Sequence, residues 1–253
     1  MIDSARRSAA HPSAPVVLAA SYLAGSVSFS QLASRRTRGV DLREVGSGTV
    51  SGTSLYAVAG FKPLAVAGVL DVAKGALGPL LAGRGRPELA GLAAGATVVA
   101  HNWSPWLGGA GGRGISPAIG ALLVVRWPAA ALLLGGLAGG RLARQTALVS
   151  FFAELGVVAL LSADGGDGGA VAGIAIVAPM LAKRVLGNGP PRRSPAQVRL
   201  ARLLFDRDDW RAEPDRDDWP AEPDRDDWRA EPDRDAEPDR DAEPDRDDWR
   251  AER

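Results

Sequence analysis

LAVAGVLDVAKGALGPLLA (Leu64–Ala82) is 19 residues long and carries two charges, Asp71 and Lys74. Its length is close to the ~20 apolar residues a helix needs to cross a bilayer. The two charges stand three residues apart, so on a helix they share a face and can pair. Charges at membrane depth are costly and turn toward a polar cavity or a partner. A neutralising structural pair and a place in a functional site are both compatible with this spacing.

Working outward, six further apolar runs follow the same pattern: Pro15–Ala33, Leu89–Leu107, Ile115–Val125, Pro128–Gly140, Thr146–Ser162 and Gly169–Leu186. Several are short for a span and rich in Ala and Gly, so a soluble α/β protein is the competing reading. Against it, polar helix faces are nearly absent, strand-like alternation is scarce, and charges cluster between the runs. The pattern predicts an all-α integral membrane protein of about seven transmembrane helices. Glu154 lies within the sixth run without a local partner, which requires one from another helix or a protonated carboxyl. Arg6 and Arg7 precede the first run as they would in a signal peptide. That run is long, however, and the arginines after it act as a stop-transfer signal, so it reads as a retained span.

Basic residues orient the bundle. With the N-terminus outside, the inner segments hold Arg35, Arg36, Arg38, Arg43, Arg113, Arg141, Arg144, Lys183, Arg184, Arg192, Arg193, Arg199 and Arg202. The outer ones hold Arg6, Arg7, Arg84, Arg86 and Arg126. The bias predicts an N-out, C-in protein of the cell membrane, with its active face and C-terminus cytoplasmic.

The formal charge of zero averages two unlike regions. Asp206–Arg253 holds 22 acidic residues against 10 arginines, a net −12, which leaves +12 on Met1–Phe205. The organisation predicted is an N-terminal segment (1–14), a multi-pass membrane domain (15–189), a basic juxtamembrane segment (190–205) and an acidic tail (206–253). The tail repeats RDDWRAEPD-type units with a proline in each, which predicts disorder. Trp210, Trp219, Trp228 and Trp249 beside arginines could grip a protein partner through cation–π contacts. The chain has no cysteine and two histidines, His11 and His101, so disulfides and multi-histidine metal sites are excluded. No cofactor, metal or nucleic-acid partner is implied.

Two glycine-rich stretches fall on the predicted inner face: GSGTVSGTS (Gly46–Ser54) and GGAGGRG (Gly108–Gly114). Successive small residues let backbone N–H groups converge on an anion, and Arg113 adds a fixed charge. Arg43 precedes the first stretch and suits bidentate contact with phosphate. Neither stretch has the GK[ST] ending of a P-loop. His101 opens HNWSPW just before the second stretch, where it could act as a base, donate to phosphate, or cap an interfacial belt of Trp103 and Trp106.

In order along the chain, GSVSF (Gly25–Phe29), DLREVGSG (Asp41–Gly48), LDVAKGAL (Leu70–Leu77), HNWSPWLGGAGGRG (His101–Gly114) and RQTALVS (Arg144–Ser150) resemble the motifs of one family. It is the bacterial PlsY-type family of membrane glycerol-3-phosphate acyltransferases that use acyl-phosphate as donor. The resemblance covers most of Tyr22–Gly189 and marks the chain as a divergent member. Thr49 and Ser54 replace two asparagines of the family pattern, Ala57 an arginine, and Ala110 and Arg113 the two loop lysines. Ala178 and Leu181 replace a histidine and an asparagine near the end, whereas Arg184 is kept.

The resemblance implies transfer of an acyl group from acyl-phosphate to the sn-1 hydroxyl of glycerol-3-phosphate, giving lysophosphatidic acid for phospholipid biosynthesis. It implies that Arg43, Gly46, Ser47 and Gly48 hold one phosphate and that Gly111, Gly112, Arg113 and Gly114 hold the other. Ser26, His101 and Ser150 would position the substrate hydroxyl or the developing oxyanion, supported by Asp71 and Lys74. The implied partners are the two substrates and membrane lipid. Two other classes stay open: a non-catalytic membrane paralogue binding lipid phosphate or a partner, favoured by the replaced residues, and a small transporter.

Overall fold

The computed structural model describes residues 12–46, 48–163, 166, 168–188 and 195–205. The tryptophan repeats at 206–253, most of the N-terminal segment, Ser47, Asp164 and Asp167 lie outside the described residues, as do 189–194.

Ten α-helices stand among the described residues. They are α1 (Ala14–Ser26), α2 (Phe29–Arg38), α3 (Gly52–Ala59), α4 (Phe61–Ala82), α5 (Pro87–Asn102), α6 (Ile115–Val125), α7 (Trp127–Leu142), α8 (Thr146–Ala163), α9 (Gly169–Leu186) and α10 (Pro195–Phe205). Among the described residues, four stretches are long and apolar enough to cross a bilayer: Ala14–Arg38, Phe61–Ala82, Thr146–Ala163 and Gly169–Leu186. At 1.5 Å per residue, the 11-residue α6 is only about 17 Å long and the 16-residue α5 and α7 about 24 Å each, against a ~30 Å hydrocarbon core.

Two expectations about local structure need correction. The first apolar run is not one helix. Val27 takes an extended conformation (φ −71°, ψ 120°), and Ser28 caps the new helix by accepting from Gln31 N at 3.4 Å. The break makes the Val27 carbonyl an acceptor free of the helix ladder, and Lys74 Nζ takes it at 2.5 Å. Such a break at membrane depth is tolerated where side chains re-satisfy the freed backbone. Nor is Gly46–Ser54 a loop throughout: Ser51 caps α3 by accepting from Ser54 N at 3.2 Å, so Gly52–Ser54 form its first turn. The basic juxtamembrane segment, in turn, contains the helix α10.

The faces of α4 are inverted relative to a soluble helix. Ala67, Asp71, Lys74, Gly75 and Gly78 point inward, while Val66, Val69 and Leu80 are each more than 60% exposed. Lipid offers no penalty for large apolar groups on the outside, so packing selects small residues for the inside. Gly75 of α4 lies against the Pro117 backbone of α6, and Gly120 of α6 against the Val72 backbone of α4. Gly91 and Gly95 of α5 meet Ala172 and Ala175 of α9 in the same way. Through these approaches α5 comes to lie among α1, α4 and α9, and its C-terminal end carries the polar residues described next.

Candidate functional site

Asp71 and Lys74 do pair, at 2.7 Å, with both side chains buried. Lys74 Nζ also donates to His101 Nδ1 at 3.0 Å and lies 5.6 Å from the centre of the Phe29 ring. An ammonium can only donate, so Nδ1 accepts and the ring proton sits on Nε2. Nε2 faces the second glycine loop, where a side chain at Gly112 would collide with it. Lys74 therefore presets His101 as a hydrogen-bond donor toward that loop. A role as base at Nδ1 would compete with the lysine.

The second loop is folded back on the end of α5. Gly112 N donates to His101 O at 3.3 Å, Ser104 N to Ala110 O at 3.1 Å and Gly109 N to Ser104 O at 2.9 Å. Gly114 takes φ 79°, a left-handed value that suits glycine, and becomes the N-cap of α6. No side chain caps α6, so its first N–H groups are directed out of the helix beside Gly111–Gly114. Half-buried Arg113 acts electrostatically on both Lys183 and Glu154 of neighbouring helices.

The first loop joins the second directly: Val50 N donates to Gly111 O at 3.2 Å. Gly46 and Gly48 both have positive φ, 55° and 69°. Arg43, in a 3₁₀ turn (Leu42–Glu44), is clamped by Asp41, with Nη2 2.7 Å from Oδ2, and its Nη1 lies 3.5 Å from the Leu107 carbonyl. The Arg43 guanidinium holds the Asp41 carboxyl well below the usual carboxylate range, opposed by burial and reinforced by Arg35 and Gln31. Asp41 in turn raises the pKa of Arg43, which stays cationic.

Ser26 and Ser150 belong to two different polar clusters. Ser26 Oγ donates to Leu23 O at 2.7 Å and accepts from Trp106 Nε1 at 2.8 Å, while Ser26 O accepts from Ser104 Oγ at 2.7 Å. These bonds anchor the α1 break to the segment after α5. Ser150 Oγ donates to Ala147 O at 3.0 Å and accepts from Arg184 Nη2 at 2.9 Å. Arg184 also provides the partner that Glu154 required, at 2.9 Å.

Two residues, Lys183 in the last turn of α9 and Asn188 just beyond it, were not among the site candidates that the sequence suggested. Asn188 Nδ2 reaches both loops, at Thr49 Oγ1 (3.3 Å) and Gly111 O (3.4 Å). Lys183 Nζ reaches the Gly109 carbonyl at 3.4 Å and lies 5.3 Å from the centre of the Trp103 ring. Lys183 counted in the charge tally that oriented the chain, but nothing local marked it as turned inward.

Residues 15–185 match the family described as glycerol-3-phosphate acyltransferase. The chain belongs to the glycerol-3-phosphate acyltransferase family. The glycerol-3-phosphate acyltransferase of Synechococcus sp. (strain CC9902) is 36% identical over 191 residues, covering 70% of this chain and 94% of that protein. That of Parasynechococcus marenigrum (strain WH8102) is 35% identical over 172 residues, covering 66% and 79%. The fold is similar to the crystal structure of PlsY (YgiH), described as an integral membrane glycerol 3-phosphate acyltransferase in its glycerol 3-phosphate form. That similarity has a TM-score of 0.63 at 27% identity and covers 68% of this chain and 88% of the other. The chain is thus an acyltransferase-like membrane enzyme of phospholipid biosynthesis.

Proposed function

We propose that this family member crosses the cell membrane seven times, N-out and C-in, and transfers an acyl group from acyl-phosphate to the sn-1 hydroxyl of glycerol-3-phosphate at its cytoplasmic face. The observation that carries this reading is the second glycine loop. Backbone N–H groups at the uncapped start of α6, the Arg113 cation and the Nε2–H of His101 all belong to one short segment of space beside the first loop. Donors and cations of this kind are suited to phosphate groups.

The substrate hydroxyl oxygen attacks the acyl carbon and forms the ester C–O bond. The acyl carbon's bond to the phosphate oxygen breaks, and orthophosphate leaves with that electron pair and takes up the hydroxyl proton. Because phosphate is a good leaving group, no covalent enzyme intermediate is needed. Holding two anions in line and stabilising the developing oxyanion supply the acceleration. In this scheme Gly111–Gly114 with Arg113 hold one phosphate, and Gly46–Gly48 with Arg43 hold the other. His101 donates from Nε2; Lys74 and Asp71 keep it in that tautomer. Ser26 positions through Trp106 and Ser104, and Ser150 through Arg184.

The test is acyl transfer to labelled glycerol-3-phosphate by purified protein in detergent, beside a version lacking residues 206–253. Lysophosphatidic acid that forms with wild type and collapses in Arg113→Ala supports the proposal. Full transfer by both Arg43→Ala and Arg113→Ala refutes the phosphate assignments. No product from folded protein replaces this reading with the non-catalytic paralogue.

A further inference from the structure

We infer that Lys183, in the last turn of α9, is a phosphate-binding residue of the second glycine loop, an assignment that rests on the reading of that loop as a phosphate site. Its side chain is among the largest fully buried ones, at 1% exposure. An ammonium carries three donors. The hydrogen bond of Lys183 Nζ runs to the Gly109 carbonyl at 3.4 Å, long for an N–H···O bond. Among the described residues it makes no ion pair. The titratable groups that act on it or respond to it are the Arg113 cation and the neutral His101 ring, neither of them an anion.

Its neighbours and its counterpart sharpen the contrast. Lys74, buried to a similar degree, has a carboxylate at 2.7 Å, a carbonyl at 2.5 Å and an imidazole nitrogen at 3.0 Å. Glu154 is committed to Arg184, which also donates to Ala147 O, Ser150 Oγ and Leu203 O. Of these buried cations Lys183 keeps the most N–H donors to spare among the described residues, and they sit beside a loop whose own sequence supplies one cation, Arg113. A buried ammonium with a cationic neighbour is stable where an anion completes it. A phosphate group can take the remaining N–H donors while the Trp103 face holds the lysine stem in place. Ala110 contributes no charge to the loop, so α9 brings it a second cation from across the fold.

The phosphate is either that of glycerol-3-phosphate or that of the acyl donor, and kinetics separate the two. Lys183→Met keeps the apolar stem and removes the charge; Lys183→Arg keeps the charge. Losing a charged hydrogen bond to phosphate raises KM about 10- to 100-fold. A rise for glycerol-3-phosphate with kcat changed less assigns the acceptor phosphate, and a rise for acyl-phosphate assigns the donor. Partial recovery in Lys183→Arg is expected in either case. If Lys183→Met loses its melting transition, Lys183→Gln, which can still donate to Gly109 O, takes its place. A folded neutral variant whose KM values for both substrates stay within about twofold of wild type overturns the inference. Should wild type transfer no acyl group, the acyltransferase proposal fails on its own. Calorimetric titration with inorganic phosphate then still decides on Lys183, by an affinity that falls about 10-fold or more in the neutral variant or does not change.

Discussion

Removing the Glu154 carboxylate leaves Arg184 charged and buried without its counter-ion. The two are 1% and 4% exposed and meet at 2.9 Å. Breaking a buried pair from one side costs about 3–5 kcal/mol. Arg184 keeps three neutral acceptors, Ala147 O (2.8 Å), Ser150 Oγ (2.9 Å) and Leu203 O (3.3 Å), which places Glu154→Ala near the lower end, about 3 kcal/mol. Glu154→Gln retains an acceptor of the same shape and loses the charge, for about 1–2 kcal/mol. At about 2–4 °C per kcal/mol for a chain of this size, Glu154→Ala lowers Tm by about 6–12 °C. The double variant Glu154→Met/Arg184→Met leaves no orphaned charge and is less destabilised than Glu154→Ala alone. Thermal unfolding in detergent, followed by tryptophan fluorescence, measures all three. A Tm for Glu154→Ala within 2 °C of wild type, or a double variant whose loss equals the sum of its parts, refutes this account of the pair.

Gly75→Ala and Gly120→Ala each drive a methyl group into the opposite helix's backbone and cost about 1–3 kcal/mol or more in the same unfolding assay, whereas Gly68→Ala, open on its outer side, is neutral or slightly stabilising. Equal Tm values for the three variants would show that α4 and α6 are not in close backbone contact. Because the Asp41 carboxyl is held below its unfolded value, its stabilising contribution is complete above the ordinary carboxylate pKa. It declines as pH falls below that ordinary pKa and is fully lost once pH has passed through the depressed folded value. Carbon-13 carboxyl chemical shifts should show no Asp41 midpoint near pH 4, and a midpoint there contradicts the Arg43 clamp. Since the chain lacks cysteine, single cysteines at Gly85 and Ala143 report orientation without background. A membrane-impermeant maleimide applied outside whole cells should label position 85 and spare position 143, and the reverse pattern overturns the proposed topology.

Much of the architecture was legible along the chain because a bilayer imposes a simple one-dimensional rule. Apolar length marks a helix and charge marks its end. That rule located α4, α6, α8 and α9 to within a few residues, and the i, i+3 spacing of Asp71 and Lys74 showed that they could pair, as they do. It could not see the break at Val27–Ser28, because both residues are compatible with an apolar run and the break is held by Lys74, 47 residues away. The same limit hid the partner of Glu154, the tautomer of His101 and the inward turn of Lys183. Each is decided by a contact between helices that share no local pattern: Arg184 on Glu154, Lys74 on Nδ1, and Gly109 with Trp103 on the lysine. Hydropathy alone determined that this is a membrane-embedded helical protein, and glycine content marked the two stretches that are proposed to hold anions. Which charges face those loops depended on close helix packing at Gly75, Gly91, Gly95 and Gly120, because only small residues let helices approach near enough for their buried polar groups to meet.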